Sequence, residues 1–150
     1  MNRDNTCLSC KSLSGEKRIS PGPVVYEGEY WVVECTYPTA LKGWVVIVLK
    51  RHVEALNVLT EAEFREYGLI LFKVVQGLKH LLDYQKEYVI EFGEAEGFNH
   101  VHFHVVPKPY DLPESLRSGK IFALLHPEPE DLISREEIRQ FCEELRGTMW

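Results

Sequence analysis

The sequence predicts an α+β fold in which an antiparallel sheet carries helices, and three observations lead there. The elements come in the order strands, helix, strands, helix, without the strict alternation of a parallel α/β chain. A broad apolar stripe at helical spacing occupies residues 60–82. Residues 100–106 alternate histidine with apolar side chains at the period of a strand.

Taken in order, the first 23 residues are polar and loop-like apart from Cys7 and Cys10, so something must hold them in place. Residues 24–27 and 30–34 are short β-rich runs; Gly28-Glu29 between them suits a type II′ hairpin turn. A turn at Thr36-Tyr37-Pro38-Thr39 follows. Residues 43–49 form a continuous apolar run, brief and β-branched, which predicts a central strand buried on both faces. Thr60-Glu61-Ala62-Glu63 has the form of a capping box. It opens a helix whose stripe holds Phe64, Tyr67, Leu71, Val74, Val75, Leu78, Leu81 and Leu82. Residues 88–92 read as a strand, 93–97 as a turn, and 100–106 as a strand stopped by Pro107. Beyond a proline-containing loop, 121–125 reads as a short strand or ordered loop. Ser134-Arg135-Glu136-Glu137 then starts a last helix carrying Ile138, Phe141, Cys142 and Leu145.

A chain of 150 residues with 45% hydrophobic content is long enough for one sizeable core, and a single domain over 1–150 is expected. Its net charge of −6, with acidic residues spread over the whole length, leaves no basic stripe for polymeric nucleic acid. Apolar runs such as 45–49 are far too short to span a bilayer, and the opening Met1-Asn2-Arg3-Asp4 lacks the apolar stretch of a secretory signal. A cytoplasmic protein without membrane partners is the expectation. Four cysteines are too few for a disulfide scaffold; in a reducing compartment the Cys7/Cys10 CxxC pair points to metal or redox chemistry.

On an extended strand His100, His102 and His104 would share one face, adjacent members about 6.5–7 Å apart, while Val101, Phe103 and Val105 face the core. A neutral imidazole is a good nucleophile near neutral pH. It can attack phosphorus without a separate base and form a phosphoramidate that water later cleaves. Flanking imidazoles would donate hydrogen bonds to developing charge or protonate the leaving group. A catalytic zinc site built from all three fits poorly, because the outer two would lie about 13 Å apart on an undistorted strand. Polar surface is the bland alternative.

His100-Val101-His102-Phe103-His104-Val105-Val106 fits the signature of the histidine triad (HIT) superfamily, and the chain resembles those nucleotide hydrolases and transferases over residues 7–107. The resemblance implies an antiparallel sheet of about five strands with two helices, often paired as a homodimer. It would make His102 the nucleophile that carries a nucleoside monophosphate. His104 would contact the phosphates, and the His100 carbonyl would orient the His102 ring. It also implies a zinc-containing branch, in which Cys7, Cys10, His52 and His100 hold a structural ion. A Cys₂His₂ set is closed and tetrahedral, and two thiolates balance the ion's charge. Dinucleoside polyphosphates and nucleoside phosphoramidates fall within the implied substrates. A binding module that keeps the fold without catalysis, and a hydrolase using metal-activated water, are the other readings.

The chain departs from the family pattern at two places. Gly43-Trp44 stands where Gly-His is common, so a polar contact near the site is expected to be missing, with Trp44 packing instead. The segment Gly97-Phe98-Asn99-His100 supplies only Asn99 as a phosphate-binding side chain, so backbone N–H groups of 94–97 are expected to join it. Glu34 is the nearest match to a ribose-binding acid, its alternative being a solvated strand end. Lys108 is a basic residue near the triad, which as a lone lysine reads as solvated.

Overall fold

The structure, a computed structural model, describes residues 5–149; the polar opening at 1–4 therefore lies outside the described residues. Five strands form one antiparallel sheet in the order β1-β2-β3-β5-β4: β1 Tyr26–Glu27, β2 Trp31–Cys35, β3 Val45–Leu49, β4 Lys86–Ile90 and β5 His102–Lys108. The predicted α+β class and strand number hold. β3 is the middle strand, as its apolar run requires, and Ile47 and Leu49 are fully buried.

Alternation divides the sheet cleanly. Trp31, Val33, Cys35, Val45, Ile47, Leu49 and Val105 face α2 (Glu61–Leu81) and α3 (Arg135–Arg146), which contribute Ile70, Val74, Leu78, Ile138, Phe141 and Leu145 to the same core. Burying side chains of this size contributes roughly 1.5–3 kcal/mol each. The opposite face carries Glu34, Val46 and His104 in one cross-strand row and Val32, Val48 and His102 in the next. That register places both pocket-facing histidines over the centre of the sheet.

Thr60 and Glu63 form the predicted capping box at the start of α2. The stripe behind it is narrower than expected, because Phe64 is 44% exposed. Ser134 caps α3 by accepting from the Glu137 amide at 3.1 Å.

Several expectations are corrected. The N-terminal segment is not all loop: α1 (Leu8–Ser14) forms, with Cys7 as its N-cap accepting from the Cys10 amide at 3.3 Å. The β1–β2 turn has no type II′ geometry. Positive φ among the described residues is confined to Gly15, Gly43, Gly93, Gly97 and Ser118. Gly28 N–H bonds the Trp31 carbonyl, so Glu29 and Tyr30 form the tip. Glu66 secures that tip by accepting from the amides of Glu29, Tyr30 and Trp31 at 2.7, 2.7 and 3.1 Å. Strand β4 begins and ends two residues early, since Ile90 is the last residue paired with β5 and the chain then turns through Gly93. Pro107 does not stop β5. Pairing with β3 ends at Val105, so the missing N–H of Pro107 breaks no ladder on that side. Residues 118–125 are neither strand nor loop but a 3₁₀ helix, Ser118–Leu125, lying over Trp44. No described helix is long and apolar enough to cross a membrane.

Candidate functional site

His100 lies before β5, not on it. Its amide bonds the Phe98 carbonyl two residues back at 2.8 Å, and this tight reversal turns the His100 ring out of the row formed by His102 and His104. The ring points toward the N-terminal segment instead. The three histidines of the motif therefore divide between two sites, and the expectation of a shared face is corrected.

The first site gathers Cys7, Cys10, His52 and His100, whose ligand atoms all lie within 4.8 Å of one another. His100 Nδ1 is 3.5 Å from Cys7 Sγ, 3.6 Å from Cys10 Sγ and 3.2 Å from His52 Nδ1; Cys10 Sγ is 3.5 Å from His52 Nδ1. A tetrahedral zinc with ordinary Zn–S and Zn–N bonds has N–N and N–S edges of about 3.3–3.6 Å, so this donor set fits the ion. Both imidazoles are also oriented for it. His100 Nε2 donates to the Leu49 carbonyl at 2.6 Å, and His52 Nε2 lies 3.3 Å from Glu54 Oε1, which leaves each Nδ1 lone pair for the ion. His52 is placed by its neighbour: Arg51 makes two 2.8 Å bonds to the Glu63 carboxylate and one of 2.9 Å to the Val58 carbonyl.

The second site is a largely apolar cavity of about 290 Å³ on the open face of the sheet. His102 and His104 lie on its wall, each 9% exposed, with Val46 and Val48 beneath them. His102 Nδ1 donates to the His100 carbonyl at 2.6 Å, so its Nε2 carries the free lone pair. His104 is arranged the other way round. Trp44 Nε1 donates to His104 Nδ1 at 3.0 Å, which leaves the proton of the neutral ring on Nε2. Burial, reinforced by the neighbouring His102, lowers the His104 pKa to about 3, so the ring is neutral at physiological pH. The polar contact expected to be missing at Gly43-Trp44 is thus supplied by the indole.

Other predicted residues fall differently. Glu34 lines the cavity but is 5% exposed and paired with Arg18, which overturns the solvated strand-end reading. Asn99 is exposed and lines a separate cleft with Cys7, His52 and Glu96; the reversal at 98–100 sends Phe98 to the histidine cavity in its place. Lys108 is not solvated: it is buried at the far end of β5 and bonds the Gln85 side chain.

The cavity also holds residues that the sequence did not single out. Ser9, Ser12 and Leu13 of α1 form one wall, while Phe122, Leu125 and His126 close another. Phe122 packs edge-on to His104 with ring centroids 4.9 Å apart. The buried Thr36 hydroxyl lines the cavity without a hydrogen-bond partner among the described residues.

Comparison with known proteins gives one consistent result. The HIT domain family model matches residues 17–110. An uncharacterised HIT-like protein of Methanocaldococcus jannaschii is 30% identical over 117 residues, 77% of this chain and 88% of the relative. The fold is shared with a histidine triad nucleotide-binding protein, described as hypothetical, of Sulfolobus tokodaii: TM-score 0.71, 20% identity, 95% of this chain and 91% of the other. It is likewise shared with a zinc-bound histidine triad family protein of Mycobacterium smegmatis: TM-score 0.65, 17% identity, coverage 95% and 92%.

Proposed function

The chain belongs to the HIT domain family, and from that premise we propose that it is a nucleotide phosphohydrolase or nucleotidyl transferase working through a covalent nucleotidyl-histidine intermediate. The observation that carries this reading is the 2.6 Å bond from His102 Nδ1 to the His100 carbonyl. It fixes the ring as the tautomer whose Nε2 lone pair serves the cavity.

The chemistry follows from that arrangement. His102 Nε2 donates its electron pair to the phosphorus of a nucleoside phosphate ester, anhydride or phosphoramidate. The bond from phosphorus to the leaving group breaks, and the leaving group departs with the bonding electrons. The ring keeps its Nδ1 proton and becomes cationic, a charge that the His100 carbonyl stabilises. Water, or another acceptor, then attacks phosphorus; the N–P bond breaks, its electrons return to Nε2, and the acceptor's proton passes to solvent. His104 donates its Nε2–H to a phosphoryl oxygen throughout. The apolar walls at Phe98, Phe122 and Leu125 suit a nucleobase, and the unpartnered Thr36 hydroxyl suits a polar atom of the ligand. Glu34 is proposed near the ribose, with Arg18 holding it.

A zinc ion held by Cys7, Cys10, His52 and His100 would supply a structural cross-link. Through Leu8, whose amide bonds the Gly97 carbonyl at 2.8 Å, α1 is anchored beside the strand of the nucleophile. Four protein donors leave no open position, which argues against metal-activated water as the nucleophile. None of the described cysteines is in a disulfide, which suits a cytoplasmic protein. A homodimer is proposed through the exposed apolar face of α2. Trapping a nucleotidyl adduct on His102 tests the catalytic reading; a nucleotide-binding module would bind without labelling.

A further inference from the structure

Trp44 is 1% exposed, yet its polar atom is not idle. The residue stands just before β3, on the same face of the sheet as Val46, and Val46 is the cross-strand partner of His104. Packing against Val106, Leu112 and Ile121 fixes the indole from behind. Phe122 packs edge-on to both partners, at 5.6 Å from the Trp44 ring and 4.9 Å from that of His104. The indole N–H donates to His104 Nδ1 at 3.0 Å.

The chemistry of the pair is asymmetric. An indole nitrogen donates and never accepts. Nδ1 of His104 must therefore offer a lone pair, and a proton placed there would face the indole proton head-on. Only Nε2 is left to carry the ring's proton. A residue able both to donate and to accept, such as histidine or glutamine, would tolerate either tautomer at this position; tryptophan tolerates one.

We propose that Trp44 is a positioning residue, whose indole N–H locks His104 in the Nε2–H tautomer and thereby makes it a fixed hydrogen-bond donor to the phosphoryl group attacked by His102. This rests on the proposed phosphoryl chemistry for its purpose, but not for the tautomer itself. The role given to His104 is also narrowed. Its Nε2–H stays on the ring as a donor to a phosphoryl oxygen, and the leaving group takes its proton from solvent.

The test combines the ring nitrogen signals of His104 with steady-state kinetics. Protein labelled with ¹⁵N-histidine is compared with Trp44→Phe, which keeps an aromatic ring and deletes the N–H; His104→Gln assigns the signals. The wild type is expected to show an unprotonated Nδ1 and a protonated Nε2, while Trp44→Phe shows a mixture of tautomers. On any nucleotide that turns over, Trp44→Phe is expected to lower kcat about tenfold with little change in KM, as for one lost hydrogen bond in the transition state. A wild-type His104 protonated on Nδ1 would overturn the proposal, even if the variant failed to fold. So would an unchanged tautomer in Trp44→Phe, or a changed tautomer with unaltered kcat. Absence of turnover on every nucleotide would instead defeat the proposed function, leaving the tautomer result to stand by itself.

Discussion

His102 gives its Nδ1 proton to the backbone carbonyl of His100 across 2.6 Å, while the side chain of His100 faces the other way, into the Cys7/Cys10/His52 cluster. One residue thus serves two sites: its backbone fixes the His102 ring and its own ring belongs to the Cys/His cluster. Through this shared residue, the stability of the cluster bears on the geometry of the proposed reaction.

Metal removal follows directly. Purified protein is expected to hold about one zinc per chain, and Cys7→Ser/Cys10→Ser close to none. Because α1 forms a cavity wall through Ser9, Ser12 and Leu13, the variant should bind nucleotide more weakly and be cut faster by protease within the N-terminal segment. Elemental analysis, nucleotide titration and limited proteolysis measure the three; unchanged zinc content would contradict the cluster.

Acid should weaken the fold through His104. Its folded pKa is lowered to about 3 by burial and then by His102, whereas the unfolded imidazole titrates near 6.5. Between those values the unfolded chain binds more protons, so stability falls as pH drops through the window, by on the order of 5 kcal/mol in full. Urea unfolding at pH 6.5 and 4.5 should show a smaller loss for His104→Gln than for the wild type. Equal losses would count against a buried neutral ring.

Glu63 works in the opposite charge state. Hydrogen bonds from Arg51, opposed by burial and helped by Thr60, hold its carboxyl down at about 2. This stabilisation is present above the ordinary carboxylate range and is lost as pH falls toward 2. Glu63→Gln should cost about 2 kcal/mol at neutral pH by urea unfolding, because the Arg51 pair and half of the capping box go together. A change below about 0.5 kcal/mol would mean that the pair contributes nothing measurable.

The face of α2 that carries Phe64, Leu69 and Phe72 is 44%, 58% and 60% exposed at those residues. If it pairs two copies, sedimentation should give a dimer mass for the wild type and a monomer mass for Phe72→Glu. A monomeric wild type at micromolar concentration would remove the homodimer.

Strand alternation made His102 and His104 legible, because the period-2 pattern alone puts them on one face with Val101 and Val105 behind. It misplaced His100, since a bend made by backbone hydrogen bonding at Phe98 leaves no trace in a hydropathy pattern. The Cys/His cluster spans Cys7 to His100, and no local spacing links residues so distant; in the sequence only the family resemblance joins them. Helix α1 was missed because its seven residues are held by the Cys7 cap and by Gly97, not by an apolar stripe. Trp44, Phe122 and Thr36 gain their meaning only from partners far along the chain or, for Thr36, from having none. The pairing of Glu34 with Arg18 lay beyond local pattern for the same reason.

The proposed covalent bond from His102 to phosphorus is accessible to rapid quench with α-labelled nucleotides followed by peptide mapping. A nucleoside monophosphate adduct is expected on His102 in the wild type, turning over with water, and none in His102→Gly. Turnover without label on His102, or equal turnover by His102→Gly, would contradict it.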